Sequence, residues 1–171
     1  MHTDSTHVKR GSKAAQSEAT RANLVKVARR LFAKRGYAAV GTEEVVKKAG
    51  VTRGALYHQF AGKQDLFRAV FEQVEGEVTM NVARAAEAGA SDPVDVLRRG
   101  TRLWLDSCLD PEVRRIVLLD APSVLGFDEW REIAARYGLG VLAAALGAAM
   151  EARVIEQQPL MPLAHTIMGA L

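Results

Sequence analysis

Cysteine is nearly absent: the 171 residues contain one, Cys108. A single thiol excludes a disulfide framework and a cysteine-based zinc cluster, suits a reducing cytoplasm, and reads as a small buried hydrophobe. Sustained alternation of period two is missing and the β-branched residues are scattered, so no strand is expected. The apolar run 139–150 has only twelve residues, short of the roughly eighteen that cross a bilayer. It is expected as a core helix, with no membrane partner. Residues 1–16 are polar, carry Lys9, Arg10 and Lys13, and lack the apolar stretch of a signal peptide, so a flexible basic arm is expected there. The four histidines, His2, His7, His58 and His165, show neither i,i+4 pairing nor H-E-x-x-H, and no G-x-S-x-G occurs. Carboxylates such as Asp106 and Asp120 stand alone in sequence. Neither catalysis nor a metal or cofactor site is therefore expected. Gly138, Gly140 and Ala143 fit a loose G-x-G-x-x-A, but a helical pattern already runs through 130–137 where that fingerprint needs a strand. Gly140, Ala144 and Ala148 are read instead as small residues that let a neighbouring helix approach.

What is present is a helical, charge-divided chain. Hydrophobic residues make up 49%, enough for a sizeable core, and Ala, Leu, Glu and Arg dominate the periodic segments. The fold class expected is all-α. The net charge of +3 conceals an asymmetry, because residues 1–75 hold 14 Lys and Arg against 7 Asp and Glu, and all seven lysines lie at or before Lys63. A basic first half on an acidic remainder is the footprint of a chain whose one half meets a polyanion.

Residues 42–60 read as two short helices joined by a tight turn. Thr42 is expected as an N-cap, Glu43 and Glu44 oppose the positive helix end, and Lys47 and Lys48 sit where the sign reverses. Gly50 stands where the chain needs a positive φ, Val51 plugs the turn, and Thr52 caps the second helix. With Val45, Ala49, Val51 and Leu56 facing inward, Arg53, Gly54, Ala55, Tyr57, His58 and Gln59 form the exposed side. A basic, aromatic side with small residues suits a DNA major groove.

The flanks extend this unit. Residues 20–67, through Leu31-Phe32-Ala33-Lys34-Arg35-Gly36-Tyr37, Thr42, Ala49-Gly50-Val51, Leu56-Tyr57-His58-Gln59-Phe60 and Gly62-Lys63-Gln64-Asp65-Leu66, resemble the DNA-binding domain of the TetR family of bacterial transcriptional regulators. The resemblance implies a helix-turn-helix domain over 17–67 and a helical ligand-binding and dimerisation domain over 68–171. It implies phosphate contacts from Thr42, Thr52, Tyr57, His58 and Lys63, and base contacts from Arg53, Gly54, Ala55 and Tyr57. Gln59 departs from the pattern, since many members carry His there; it could still donate to phosphate, without a charge. The implied partners are a palindromic duplex operator, a second copy of the chain and a small-molecule effector that releases a repressor. The alternative is a helical small-molecule-binding protein without operator binding.

The remaining periodicity places helices in order. Leu24, Val27, Ala28, Leu31 and Phe32 mark one face of a helix from Thr20 that ends at Gly36. A helix over 63–88, roughly 40 Å long, carries a stripe from Leu66 to Val82 and could link motion in the second half to the first. Asp92 caps a helix at Pro93, Pro111 opens one over 112–120 that Pro122 stops, Asp128 caps a long one, and the last starts near Pro162. Arg102, Trp104, Asp106, Asp120, Trp130 and Tyr137 are polar or aromatic residues on these helices, and the resemblance implies that such residues line an effector cavity. The family's usual nine elements would leave this chain ending inside the eighth, either as a fragment lacking its last dimerisation helices or as a chain that dimerises through what remains.

Overall fold

The computed structural model describes residues 5–170. These residues form eight helices and no strand: α1 Ser5–Arg35, α2 Thr42–Ala49, α3 Arg53–Gln59, α4 Lys63–Glu87, α5 Pro93–Ser107, a compound α6, α7 Phe127–Glu151 and α8 Leu160–Ala170. The all-α class is as expected. Two compact units divide the chain inside α4, between Val70 and Phe71.

In the first unit α1, α2 and α3 pack on one another. Helix α1 begins at Ser5, well before the expected Thr20; residues 13–19 hold alanines and polar helix formers, and adding turns to an anchored helix is easy. Residues 1–4 of the expected arm lie outside the described residues. The core is set by fully buried Leu24, Ala28, Phe32, Leu56, Leu66 and Phe67, each large side chain contributing about 1.5–3 kcal/mol. Phe32, Tyr37 and Phe67 form a ring cluster with centroids 5.2–5.7 Å apart.

The turn between α2 and α3 departs from the expected pattern at one cap. Gly41, not Thr42, is the N-cap of α2: its carbonyl accepts from Val45 N–H at 3.3 Å, so Thr42 is already the first helical residue and makes no cap bond. Gly50 does take the left-handed conformation, φ 67°, and Val51 N–H bonds back to Val46 O at 3.2 Å. Thr52 then caps α3, its hydroxyl accepting from Ala55 N–H at 3.2 Å.

In the second unit α7 packs against α5 and α8. Asp92 caps α5 as read, accepting from Asp95 N–H at 2.9 Å. Asp110 caps α6, which consists of Pro111–Val113, a π-helical Arg114–Asp120 and Ala121–Leu125. The expected stop at Pro122 is absent. Pro122 cannot donate to the carbonyl four residues back, and the ladder widens before it, Ala121 N–H bonding to Ile116 O, so the helix continues. Gly126, at φ 88°, ends it and serves as N-cap of α7, which displaces the expected Asp128 cap into the first turn. The expected core run 139–150 lies in α7. That helix has 25 residues and is, by length and composition, apolar enough to cross a membrane. Here Ala143 and Leu146 bury against Ala164 of α8, with Leu97 of α5 alongside. Helix α8 starts at Leu160, directly after Pro159.

Two stability measurements test this packing. Thr52→Ala is expected to cost about 1 kcal/mol, the usual worth of an N-cap, and Thr42→Ala much less; comparing urea midpoints decides it. Glu75, on α4 in the second unit, is 3% exposed, and burial pushes its carboxyl from 4.5 up to about 7. The folded state therefore holds this proton more tightly than the unfolded chain. The resulting stability is full below about pH 4.5 and falls by about 1.4 kcal/mol per pH unit until it levels off above 7. Across that window the protein should lose roughly 3 kcal/mol relative to Glu75→Gln, as read by urea unfolding at each pH.

Candidate nucleic-acid interface and ligand cavity

Helix α3 turns one face inward through Leu56, followed by its C-cap Phe60, both buried, and its opposite face remains in solvent. Arg53, Gly54, Tyr57 and His58 are exposed on it, and Ala55 is half-buried. The Arg53 guanidinium lies 5.6 Å from the Tyr57 ring centroid and 3.8 Å from the Glu43 carboxylate, with the side chains of Arg53 and Glu43 70% and 85% exposed. An ion pair that open to water holds Arg53 only weakly. Open space surrounds Gly54, where a Cβ would meet nothing nearer than Thr52 Oγ1 at 3.9 Å. A surface could therefore approach the α3 backbone closely at this point.

Gln59 does not belong to that face. Its side-chain amide donates to Ser17 Oγ at 2.7 Å and Ser17 O at 3.3 Å, and Arg21 donates to its backbone carbonyl while lying 4.5 Å over the Phe60 ring. The expectation of an exposed Gln59 is corrected: a neutral amide that donates to Ser17 suits a half-buried seam with α1. Ser17 and Arg21 are the pinning residues that periodicity alone missed, since neither falls on an apolar stripe. Thr42 is half-buried at the start of α2. Lys63, at the start of α4, holds its ammonium 3.9 Å above the Tyr37 ring, and burial of that ring raises the phenol pKa.

The second unit contains a cavity of about 1220 Å³ with mainly apolar walls. Of the six residues expected there, Trp104 and Trp130 line it. The other four do not. Arg102 and Asp106 are exposed and flank a separate depression with Arg98 and Leu105. Asp120 closes the π-helical turn, and the Tyr137 ring covers Gly76, where a Cβ would stand 3.0 Å from Cε1. Their helices present several faces, and sequence spacing did not say which one the space would adjoin. The lining residues that were missed include Glu75, Thr79, Cys108, Phe127 and His165. A signal existed for two of them: Phe71, Glu75 and Thr79 are spaced by four along α4, so polar groups interrupt an inward stripe. Burial and then the nearby Glu75 charge raise the Cys108 thiol pKa.

Gly138, Gly140 and Ala143 lie within α7, so no dinucleotide loop exists at that motif. Gly140, Ala144 and Ala148 border the cavity instead of seating a neighbouring helix; it is Gly138 that the Met168 methyl group approaches, 2.7 Å from where a Cβ would stand. Among the described residues no group of three or more His, Cys, Asp or Glu could hold a metal ion.

Two family matches cover most of the chain. Residues 24–70 match bacterial regulatory proteins of the tetR family, and 94–171 match a tetracyclin repressor-like C-terminal domain. The HTH-type transcriptional regulator AcrR of Shigella flexneri is 34% identical over 103 residues, 60% of this chain and 48% of its own length. The HTH-type transcriptional regulator TtgR of Pseudomonas putida is 37% identical over 105 residues, 59% of this chain and 49% of that protein. The chain thus spans about half the length of these curated relatives. The crystal structure of a TetR-family transcriptional regulator from Pectobacterium atrosepticum superposes with a TM-score of 0.79 at 34% identity, covering 91% of this chain and 79% of that one. The helix-turn-helix unit, the helical second unit and these matches agree: the chain belongs to the tetR family of bacterial regulatory proteins.

Proposed function

We propose that this protein is a transcriptional repressor of the cytoplasm that binds a palindromic operator in duplex DNA as a homodimer and leaves it when a small molecule fills the cavity. The observation that carries this reading is the exposed face of α3, where Arg53, Gly54, Tyr57 and His58 surround a helix start whose cap bond is already satisfied by Thr52. A helix of that shape reads base edges in a major groove, Arg53 bidentate to a guanine and Tyr57 against a base or phosphate. Thr42, Thr52, His58 and Lys63 lie at helix starts or on the rim of that face and meet the sugar-phosphate backbone, while Ala55 packs close to the bases. Gln59 acts indirectly, by pinning α3 to α1 through Ser17. The basic balance of residues 1–75 supplies the sequence-independent part of the affinity.

Homodimerisation follows from the geometry of a palindrome, whose half-sites lie roughly 34 Å apart and need two recognition helices related by two-fold symmetry. Helix α4 passes without interruption through both units, which supports a route from cavity to DNA face. No reaction is assigned to the protein, and it acts by binding alone.

Selection of bound fragments from a random duplex library is the primary test, and recovery of a palindrome is the expected result. On that operator, log affinity should fall linearly with log salt. Lys63→Ala should weaken all sequences equally and flatten the slope by about one. Arg53→Ala should cost roughly 1–3 kcal/mol and relax preference at one position in each half-site. A uniform loss across operator variants would show that Arg53 only positions the protein.

A further inference from the structure

Two polar atoms at the cavity have nothing to bond to. Oε2 of Glu75 and Nε1 of Trp130 are both shut off from solvent and lack a hydrogen-bond partner, and both residues line the same space. Arg84, Glu87, Arg131 and His165 also border it, but all four are exposed, and the fifth ionisable neighbour, Cys108, is a thiol, so Glu75 is the one acid or base buried among the lining. Burial alone raises its pKa. Its charge reaches the Cys108 thiol after α5 and the Tyr137 hydroxyl on α7, both neutral at neutral pH. Arg136, which also lies near Tyr137, is paired with Glu72 at 3.2 Å and Glu132 at 3.7 Å.

Taking the cavity as the effector site, as the proposed function does, we infer that its effector class is an apolar organic monocation, an amine whose ammonium meets Glu75 and whose body lies among Trp104, Phe127 and Trp130. Three considerations select this class. A buried carboxyl without a partner is satisfied fully by a group that brings both donors and countercharge, which an alcohol does only in part and a carboxylate opposes. The indole faces of Trp104 and Trp130 attract a desolvated cation, and the apolar walls take the rest of the molecule out of water. The free Trp130 N–H can donate to an acceptor on the same body.

Binding of this class is coupled to a proton. The ammonium keeps its own proton, and Glu75, protonated in the empty cavity at mildly acidic pH, releases one to solvent as the ion pair forms. Affinity for an amine should therefore fall as pH drops below about 7, while affinity for a neutral analogue stays flat.

Three probes with one apolar body separate the possibilities: phenylbutylamine, phenylbutanol and phenylbutyrate, titrated against the 171-residue chain in the absence of DNA and followed by tryptophan fluorescence and calorimetry. At about pH 8 the amine should bind at least about tenfold more tightly than the alcohol, and the butyrate most weakly. Glu75→Gln should erase the amine's advantage over the alcohol, and calorimetry in buffers of different ionisation enthalpy near pH 6 should show proton release with the amine alone. Circular dichroism of the variant confirms that it is folded. Equal binding of alcohol and amine, tighter binding of butyrate, an unchanged order in Glu75→Gln, or no binding by any probe would each overturn the inference. Operator release is read separately: a chain that binds the amine yet keeps its DNA refutes release by effector and leaves the effector class standing.

Discussion

A helix of seven residues cannot hold itself together in water, because the cost of nucleating it is spread over too few hydrogen bonds. Helix α3 exists through what its inner face buries. Leu56 and Phe60 are 0% and 2% exposed, Thr52 closes the first turn, and Ser17 and Arg21 of α1 fasten the last. Those inward commitments leave Arg53, Gly54, Tyr57 and His58 outside. The candidate recognition face is the remainder of a packing solution, and its composition could be selected for DNA at little cost to the core.

The second unit works by the opposite principle. A protein interior normally fills its space, yet here Gly100, Gly140, Ala144 and Ala148 stand where larger side chains would close the gap between helices. The unit also keeps a carboxyl and an indole N–H without partners beside that gap. Orphaned buried groups each cost about 1–3 kcal/mol, so a ligand that satisfies them draws affinity from energy already stored in the empty protein. On the proposed reading, stability and binding are thus set against each other at Glu75.

The π-helical stretch of α6 has a local cause that needs no functional reading. Proline at 122 removes one donor, the backbone widens by one residue to meet Ile116, and the helix survives to Gly126. The sequence rule that proline stops a helix failed here because Ile116, Val117, Ala121 and Leu125 bury on both sides of the defect, and burial outweighs a single lost bond.

Local chemistry alone determined much of the molecule. The all-α class follows from periodicity, the Gly50 turn from the steric freedom that only glycine has at positive φ, and the Thr52 and Asp92 caps from short side chains that reach the first free N–H groups. The exposed side of α3 was legible too, apart from the half-buried Ala55 and Gln59, because an amphipathic helix of known ends has only one polar face. What the sequence could not decide is anything that depends on which faces of distant helices meet. Tyr137 against Gly76, Gln59 against Ser17, and the gathering of Glu75, Trp104 and Trp130 around one space join residues 26 to 61 positions apart. Spacing along a chain fixes a residue's angle on its own helix, and only tertiary packing fixes what stands opposite.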